Sequence, residues 1–259
     1  MTETPASTPA RTAVVTGASS GLGVAIARAL GALGWRVAVG ARRETRLADT
    51  ARDVEAAGGE AFAHRLDVAD PASVDLFFDA VEKRFGRVDV VVNNAGLSQP
   101  GRVQDLDPKD IAYEISVNLL GAIQVTRRAL SPLLKQGARG DVVFITSDAT
   151  RQPRPRQSVY TATKAGLEGF SRALSMELEG TGIRSTIVRP GPTLSEYAAS
   201  WKPGTIAEIM PYWKHFGLQR HNGVMPADAV ARAVVLALTT PPGVHLDTIE
   251  VQPEAPVND

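Results

Sequence analysis

The chain has 259 residues, of which 44% are hydrophobic and 22% charged, so it is long and apolar enough for an ordinary globular domain and unlike a disordered or fibrous protein. Its 28 basic residues balance 28 acidic ones, whereas a non-specific nucleic-acid binder normally carries a basic excess. Cysteine is absent and the four histidines lack metal-ligand spacing, which excludes disulfides and thiolate metal sites and predicts no bound metal.

The first ten residues, MTETPASTPA, have neither a basic start nor an apolar stretch. We therefore expect a flexible tail over 1–10 rather than a secretory signal. No apolar run approaches the roughly 20 residues that span a bilayer. The sequence predicts a cytoplasmic protein without membrane contact, in which residues 11–259 form a single domain.

Short apolar runs rich in β-branched residues alternate with helical stretches along the chain. Continuous apolar runs are typical of strands buried on both faces of a sheet. Seven strands are predicted, at residues 13–15, 37–39, 61–66, 88–92, 142–146, 185–188 and 248–251. Strands and helices in regular alternation predict an α/β fold with one doubly wound, parallel sheet and helices on both of its faces.

Helices are indicated between the strands by apolar residues at helical spacing, most clearly over 22–33 and 230–238. Asp70-Pro71 and Asp107-Pro108 have the form of a helix cap followed by proline in the first turn. Ser131-Pro132 predicts either another such start or a kink within a longer helix.

A glycine-rich turn links the first strand to the first helix and reads Thr16-Gly17-Ala18-Ser19-Ser20-Gly21-Leu22-Gly23. Glycines let the backbone N–H groups of such a turn approach a pyrophosphate, and the helix N-terminus adds partial positive charge. No Gly-Lys-Ser/Thr follows, which excludes a P-loop. The turn therefore predicts a dinucleotide site, with a plain glycine-rich turn as the alternative.

The end of the second strand indicates which dinucleotide is bound. An NAD site usually has an acidic residue there for the ribose 2′-hydroxyl, whereas this chain reads Val39-Gly40-Ala41-Arg42-Arg43. A guanidinium group pairs well with a 2′-phosphate. We therefore predict NADP(H) as the cofactor, with Arg42 as the main determinant and Arg43 beside it. The alternative is that both arginines belong to a solvated helix start.

Tyr160 and Lys164 lie four residues apart on a predicted helix and so share one of its faces. A tyrosine phenol, with an ordinary pKa of about 10, works as an acid or base near neutrality only if its anion is stabilised. The Lys164 cation, together with the positive charge of an oxidised nicotinamide, is expected to lower the pKa of Tyr160. Ser147 follows the fifth strand, where its hydroxyl can donate a hydrogen bond to a substrate oxygen. Asn118 lies in the helix before that strand.

In this order the motifs resemble those of the short-chain dehydrogenase/reductase family, whose members fold as a Rossmann-type sheet. The resemblance spans about residues 10–255 and rests on TGASSGLG at 16–23, Asp67-Val68, NNAG at 93–96, Asn118, Ser147, Tyr160 with Lys164, and Pro190-Gly191. It implies hydride transfer between a nicotinamide and a carbonyl or alcohol carbon, for which the catalytic residues are Asn118, Ser147, Tyr160 and Lys164. In that family the lysine also binds the nicotinamide ribose, and the helix asparagine holds a water that relays protons.

The resemblance also implies which residues contact the cofactor. Asp67 and Val68 match the pair beside the adenine, and Asn93 is either a cofactor contact or a clamp of the sheet. At the nicotinamide end, Ser195 stands where the family often has threonine, and Thr193 is a second hydroxyl in range. The predicted set is Gly17, Ser19, Ser20, Gly21, Leu22, Gly23, Arg42, Arg43, Asp67, Val68, Asn94, Ala95, Gly96, Tyr160, Lys164, Pro190, Gly191, Thr193 and Ser195.

Residues 192–225 interrupt the alternation after the sixth strand, where ligands sit in open α/β sheets. The large side chains of this segment predict either an apolar cover over the substrate or two short helices packed on the core. They are Tyr197, Trp201, Met210, Tyr212, Trp213 and Phe216. Three arginines earlier in the chain either steer an anionic substrate or belong to a solvated loop. They are Arg151, Arg154 and Arg156.

The complete catalytic set favours an enzyme over a catalytically silent protein that senses a dinucleotide on the same fold. By resemblance, the four-residue spacing of tyrosine and lysine favours carbonyl and alcohol chemistry over enoyl reduction. The family also implies a homodimer or homotetramer, with the helices around 108–136 and 158–180 at the interface. The apolar stripe considered for that interface is Leu167, Phe170, Leu174 and Leu178, with packing of some of them on the sheet as the alternative.

Overall fold

The computed structural model describes residues 10–198, 201–219 and 221–256. They contain one sheet of seven parallel strands in the order β3-β2-β1-β4-β5-β6-β7, which confirms the predicted Rossmann-type architecture. The strands are β1 (Thr12–Thr16), β2 (Arg36–Ala41), β3 (Glu60–Arg65), β4 (Val90–Asn93), β5 (Gly140–Ile145), β6 (Ile183–Pro190) and β7 (Thr248–Val251). The strand order reverses between β1 and β4, where such sheets open a crevice at their carboxyl ends. The predicted tail lies outside the described residues except for Ala10.

Helices cover both faces of the sheet. They are α1 (Gly21–Gly31), α2 (Glu44–Ala56), α3 (Pro71–Phe85), α4 (Pro108–Ile115), α5 (Ala122–Gln136), α6 (Ser158–Glu177), α7 (Thr205–His215) and α8 (Ala227–Leu238). One hydrophobic cluster packs α1, α2 and α8 on one face, and a second packs α3, α5 and α6 on the other. The central strands are buried on both sides, which explains their continuous apolar runs. Within the described ranges, no helix has the length and apolar character needed to cross a bilayer.

The two predicted Asp-Pro helix starts are confirmed. Asp70 accepts a hydrogen bond from the Ala72 N–H at 3.0 Å, and Asp107 accepts one from the Lys109 N–H at 2.8 Å. A helix start at Ser131-Pro132 is wrong, because α5 runs from Ala122 through Pro132 to Gln136. Pro132 therefore lies inside the helix, where its ring removes one backbone hydrogen bond.

Strand boundaries differ from the predicted ones by up to two residues, because buried polar residues take part in the sheet. Thr12 and Thr16 extend β1 and are almost fully buried. At the start of β4, Asp89 stays outside the strand, and its carboxylate accepts a hydrogen bond from the Thr12 N–H at 2.8 Å. Side-chain capping of this kind is not visible in an apolar pattern.

The apolar stripe of α6 faces the sheet. Leu167, Leu174 and Leu178 are buried in the core cluster, and Phe170 packs against the same cluster. The three leucines therefore follow the alternative of packing on the sheet, because the helix uses this face to bury β5 and β6. The oligomeric state stays a prediction.

Candidate active site

The glycine-rich turn packs tightly against the loop that follows β4. Gly17 has φ of +65°, and a Cβ atom added there would lie 2.7 Å from the Ala95 Cα. The Asn94 side-chain amide donates to the Thr16 and Gly17 carbonyl oxygens at 2.8 and 3.2 Å. The Thr16 hydroxyl in turn accepts from the Asn94 and Ala95 N–H groups at 3.0 and 3.1 Å. Only glycine fits at position 17, because a side chain would be strained there and would collide with this loop.

A cleft of about 450 Å³ opens at the carboxyl ends of the central strands. Most of the predicted cofactor residues line it: Gly17, Ser19, Ser20, Gly21, Leu22, Arg42, Arg43, Asp67, Val68, Asn94, Ala95, Gly96, Tyr160, Lys164 and Ser195. Other lining residues include Leu97 and Thr146, and the segment after β6 contributes Glu196 and Tyr197. Four predicted contacts lie outside this lining: Gly23, Pro190, Gly191 and Thr193.

Each residue outside the lining has a structural environment of its own. Gly23 packs on the turn itself, because a Cβ atom there would lie 2.4 Å from the Gly17 carbonyl oxygen. Gly191 is hydrogen-bonded to β7, and the Thr193 hydroxyl donates to the Gly191 carbonyl at 2.8 Å. Of the two hydroxyls considered for the nicotinamide end, Ser195 is the one that borders the cleft.

Asn93 is held by the sheet. It is 3% exposed, and its side-chain amide donates to the Thr126 hydroxyl of α5 at 3.0 Å. This geometry favours the clamp over the cofactor contact. Its neighbour Asn94 instead faces the cleft.

Both arginines after β2 border the cleft, in different environments. Arg43 donates to the Ser19 and Ser20 hydroxyls at 3.1 and 2.8 Å and forms an ion pair with Glu196 at 3.1 Å. The Arg42 guanidinium carbon lies 5.6 Å above the ring centroid of Tyr113, and the Arg42 Nη1 donates a hydrogen bond to the Tyr113 hydroxyl. Arg43 therefore contacts the glycine-rich turn directly, whereas Arg42 lies against α4.

Tyr160 and Lys164 project from the same face of α6 into the opposite end of the cleft. Both are buried, and the Lys164 Nζ lies 5.8 Å from the Tyr160 ring centroid. The ammonium group donates to the Ile145 carbonyl oxygen at the end of β5, at 2.9 Å. This hydrogen bond fixes the long lysine side chain, which otherwise has considerable rotamer freedom.

Burial raises the pKa of Tyr160, and hydrogen bonding with the Ser147 and Tyr197 hydroxyls lowers it only in part. In the protein alone, the net shift of this pKa is opposite to the lowering expected from Lys164 together with an oxidised nicotinamide, because burial outweighs the groups that favour the anion. The phenol is protonated at neutral pH, which is the form that can give a proton to a carbonyl oxygen. Burial also lowers the pKa of Lys164 to about 8, while the Glu114 carboxylate opposes that decrease.

Ser147 is positioned by a buried ion pair. Its hydroxyl accepts from the Ala149 N–H at 3.2 Å and donates to the Asp148 carboxylate at 3.3 Å. Asp148 is held by both terminal nitrogens of Arg154, at 2.7 and 2.6 Å. Although burial lowers the pKa of Arg154, the Asp148 carboxylate raises it more strongly. Arg154 thus keeps its charge although its side chain is almost fully buried.

The three arginines between Ser147 and Tyr160 are all engaged in ion pairs. Arg151 and Arg156 pair with acidic residues of β7 and α7 at 2.9 and 3.0 Å. Arg154 is buried, so a solvated loop does not describe it, and its guanidinium carbon lies 5.3 Å above the Trp213 ring. The loop therefore connects α7 to Asp148, the residue next to Ser147. Because each of the three guanidinium groups is paired with a carboxylate, the geometry does not favour steering of an anionic substrate by three free arginines.

Asn118 lies in the π-helical turn Ser116–Gly121 that joins α4 to α5. Its side-chain oxygen accepts from the Leu97 N–H at 2.8 Å, and its amide donates to the Leu97 carbonyl at 2.8 Å. The amide also donates to the Thr163 hydroxyl of α6 at 3.2 Å. Asn118 thus joins the loop after β4 to the helix that carries Tyr160. Single π-helical turns of this kind are frequent at functional sites.

The segment after β6 places one aromatic ring against the catalytic cluster. The Tyr197 ring centroid lies 5.4 Å from that of Tyr160, and the Tyr197 hydroxyl accepts from the Gln157 amide at 2.9 Å. Trp201 packs edge-on against Tyr197 at 5.3 Å. The Trp213 indole of α7 donates to the Pro155 carbonyl at 3.2 Å. The described part of the segment contains α7 and a short 3-10 helix at Glu196–Ala198, so an apolar cover and two short packed helices both stay open.

Sequence reasoning missed Glu114, Gln157 and the pairing of Asp148 with Arg154. Glu114 is only 1% exposed and lies four residues before Asn118, so the spacing of the two places them on one helix face. That spacing was the available signal for Glu114. The other contacts depend on the path of a loop, which no periodicity describes.

The sequence profile of the family described as short chain dehydrogenase matches residues 11–205. The chain is 34% identical over 243 residues to sulfoacetaldehyde reductase 2 of Chromohalobacter salexigens, and the alignment covers 93% of each of the two chains. It is 41% identical over 182 residues to the putative ketoacyl reductase of the monensin polyketide synthase of Streptomyces virginiae, and the alignment covers 70% of each of the two chains.

Solved structures agree in fold and sequence. An alcohol dehydrogenase from Thermococcus sibiricus, complexed with 5-hydroxy-NADP, has a TM-score of 0.81 at 32% identity over 96% of this chain and 99% of the other. A variant of the actinorhodin polyketide ketoreductase with NADPH has a TM-score of 0.83 at 32% identity over 94% and 96% of the two chains. Together with the order of the motifs, these matches show that the chain belongs to the short-chain dehydrogenase/reductase family.

Proposed function

We propose that the protein transfers hydride between NADP(H) and a carbonyl or alcohol carbon, with Tyr160 as the acid and base. The observation that carries this proposal is the layout of one cleft. Tyr160 and Lys164 line one end, with Ser147 beside the phenol, and the glycine-rich turn and two arginines form the other end. Membership of the family supports oxidoreduction with NAD or NADP in general, and this layout supports the more specific chemistry.

The residues of the cleft fit a dinucleotide. Gly17 and Gly21 of the turn line the cleft without a side chain, so their backbone can approach a pyrophosphate closely. The first turn of α1, Gly-Leu-Gly-Val, has no acidic residue, so its free N–H groups and partial positive charge are available to a pyrophosphate. When bound, the nicotinamide cofactor supplies or accepts the hydride.

In the direction of reduction, Tyr160 gives its phenolic proton to the carbonyl oxygen as the carbonyl carbon becomes an alcohol carbon. When the substrate binds, we propose that the Ser147 hydroxyl turns its one hydrogen from Asp148 to the same oxygen, which stabilises the charge that develops there. The Lys164 ammonium group stabilises the phenolate left on Tyr160. Asn118, fixed by Leu97 and Thr163, holds the π-helical turn in place, where we propose that the relay water binds.

The preference for NADP(H) over NAD(H) is supported by the two guanidinium groups at the turn end of the cleft. We propose Arg42 as the main determinant, since Arg43 is already paired with Glu196 in the same region. A 2′-phosphate is compatible with both, because each guanidinium offers several N–H donors in a plane.

The substrate is proposed to be an aldehyde or ketone with apolar character, because the Tyr197 ring lies beside the Tyr160 ring and Trp201 packs edge-on against Tyr197. The names of the relatives add two test compounds, sulfoacetaldehyde and a ketoacyl compound. We further propose a homodimer or homotetramer. Light scattering should show more than one subunit at working concentration, and a monomer would contradict this.

The proposal is tested by Tyr160→Phe, which removes the proton but keeps the ring. NADPH consumption should fall by about a hundredfold or more with every carbonyl that the unaltered protein reduces. NADPH affinity, followed by cofactor fluorescence, should stay the same within a factor of about three. Retained turnover would refute the role of Tyr160. NADPH binding by the unaltered protein without turnover of any carbonyl would instead favour the dinucleotide sensor.

A further inference from the structure

Glu114 is a buried carboxyl group close to the catalytic cluster that the reaction described above does not use. It lies on α4 and is 1% exposed. Its Oε2 accepts a hydrogen bond from the Gln99 N–H at 3.0 Å. Its Oε1 has no hydrogen-bond partner among the described residues. A buried polar atom without a partner costs free energy, so its retention calls for a reason.

The loop after β4 places Glu114 in line with the catalytic residues. Leu97 and Asn118 exchange two hydrogen bonds, and two residues further on the Gln99 N–H reaches Glu114. A Cβ atom added to Gly96 would lie 3.3 Å from both the Asn118 Oδ1 and the Lys164 Nζ, so those two polar atoms flank the same point. Lys164, Asn118 and Glu114 therefore lie beside successive residues of the same loop, from Gly96 to Gln99.

Charges on two helices, α6 and α4, act on Glu114. Burial raises its pKa to about 7, although the Gln99 N–H and the Lys164 charge lower it, and Asp110 on the same helix raises it slightly. From the opposite side, Glu114 raises the pKa of Lys164, which burial holds at about 8. Tyr197, after β6, is also influenced by the Glu114 charge. Two groups of similar acidity near neutrality can exchange a proton in either direction.

We propose that Glu114 is the inner end of a proton relay that resupplies Tyr160 through Lys164 and Asn118. This inference rests on the proposed carbonyl reduction. Glu114 does not contact the substrate and acts through the other two residues.

The steps balance for each turnover. The substrate oxygen takes a proton from Tyr160 and the substrate carbon takes hydride from the cofactor. Lys164 returns a proton to the Tyr160 phenolate and becomes neutral. The Glu114 carboxyl group then gives its proton to Lys164, through the water held beside Asn118, and becomes a carboxylate. Solvent finally reprotonates Glu114, so the net consumption is one proton and one hydride for each carbonyl reduced.

A purely structural role for Glu114 is the alternative, in which it anchors the loop at Gln99. Glu114→Gln separates the two roles, because the amide oxygen still accepts the Gln99 N–H but the side chain no longer exchanges a proton near neutrality. Glu177→Gln is the matched control, since Glu177 is an exposed glutamate of α6.

For Glu114→Gln, kcat for carbonyl reduction should fall about tenfold or more, with the KM for the carbonyl and the NADPH affinity unchanged. The pH profile of kcat should lose the ionisation near neutrality, and the solvent isotope effect on kcat should increase, because proton resupply becomes slower. Glu177→Gln should match the unaltered protein. Equal kcat, pH profile and isotope effect in Glu114→Gln and the unaltered protein would overturn the relay while leaving the proposed function intact.

A second readout does not depend on turnover. In infrared difference spectra, the C=O stretch of a protonated carboxyl group should be present at acidic pH and disappear through neutrality, and Glu114→Gln should lack it. A Glu114 that is ionised throughout this range would overturn the relay. Absence of turnover with every carbonyl in the unaltered protein would overturn the proposed function and the relay together, so the two failures are distinguishable.

Discussion

Arg154→Met should strongly destabilise the folded protein, because it leaves the Asp148 carboxylate buried without its partner. Methionine keeps much of the length and the apolar stem of arginine and can still pack on Trp213. The residues of the ion pair are 9% and 5% exposed, and both carboxylate oxygens are bonded, at 2.7 and 2.6 Å. Breaking a buried pair from one side costs about 3–5 kcal/mol.

Arg151→Met is the matched control from the same loop. Its ion pair with Glu250 joins a side chain that is 64% exposed to one that is 26% exposed. Exposed pairs contribute about 0–1 kcal/mol, so this substitution should have little effect. The double variant with Asp148→Asn and Arg154→Met should recover part of the stability lost by Arg154→Met, because no buried charge remains.

Urea unfolding at neutral pH measures these differences, with the midpoint and slope compared for all variants. Turnover by Arg154→Met should also fall, because Asp148 no longer holds the Ser147 hydroxyl in a fixed position. A loss of less than about 1 kcal/mol, or a loss equal to that of Arg151→Met, would refute the assigned role of the buried pair.

Three further predictions concern the cofactor, the buried carboxyl group and the sheet clamp. Arg42→Ala should raise the KM for NADPH by about 10–100-fold, because a charged hydrogen bond to the 2′-phosphate is lost. The KM for NADH should change much less, and Arg43→Ala should have a much smaller effect. Equal effects of Arg42→Ala on the two cofactors in steady-state kinetics would contradict this. Because the pKa of Glu114 is raised from 4.5 to about 7, the folded state holds a proton that the unfolded state has lost, and stability falls as pH rises across that interval. The free energy of unfolding of Glu114→Gln, measured with urea, should therefore rise relative to that of the unaltered protein by up to about 3 kcal/mol between about pH 5 and pH 8. A difference between the two proteins that does not change with pH would contradict the raised pKa of Glu114. Asn93→Ala should lower the free energy of unfolding by about 1–3 kcal/mol, because the Thr126 hydroxyl loses its partner, while the NADPH affinity stays the same. Weaker cofactor binding at unchanged stability would instead support Asn93 as a cofactor contact.

The predictable parts of the fold are those in which a residue type fits only one local structure or environment. Continuous apolar runs require burial on both faces, which gave the order of strands and helices. Asp70 followed by proline indicated a cap, and the cap is present. The positive φ of Gly17 follows from a turn that only glycine can make.

The parts that were not predictable depend on which partner a side chain meets across the fold. Leu167 belongs to a stripe that suits a subunit interface as well as a sheet, and only the packing of α6 decides between them. Pro132 after serine resembles a helix start, although α5 continues through it. Arg154 looked like a solvated residue between prolines, yet it is buried because Asp148 needs its charge. Burial likewise reversed the expected direction of the pKa shift of Tyr160.

The most direct test of the proposed hydride transfer uses NADPH that carries deuterium at the nicotinamide C4 position. The alcohol formed by the unaltered protein should contain that deuterium on its carbinol carbon, as read by mass spectrometry, and Tyr160→Phe should form almost no labelled alcohol while it still binds the cofactor. An alcohol without the label, or label transfer that persists in Tyr160→Phe, would contradict the proposed chemistry.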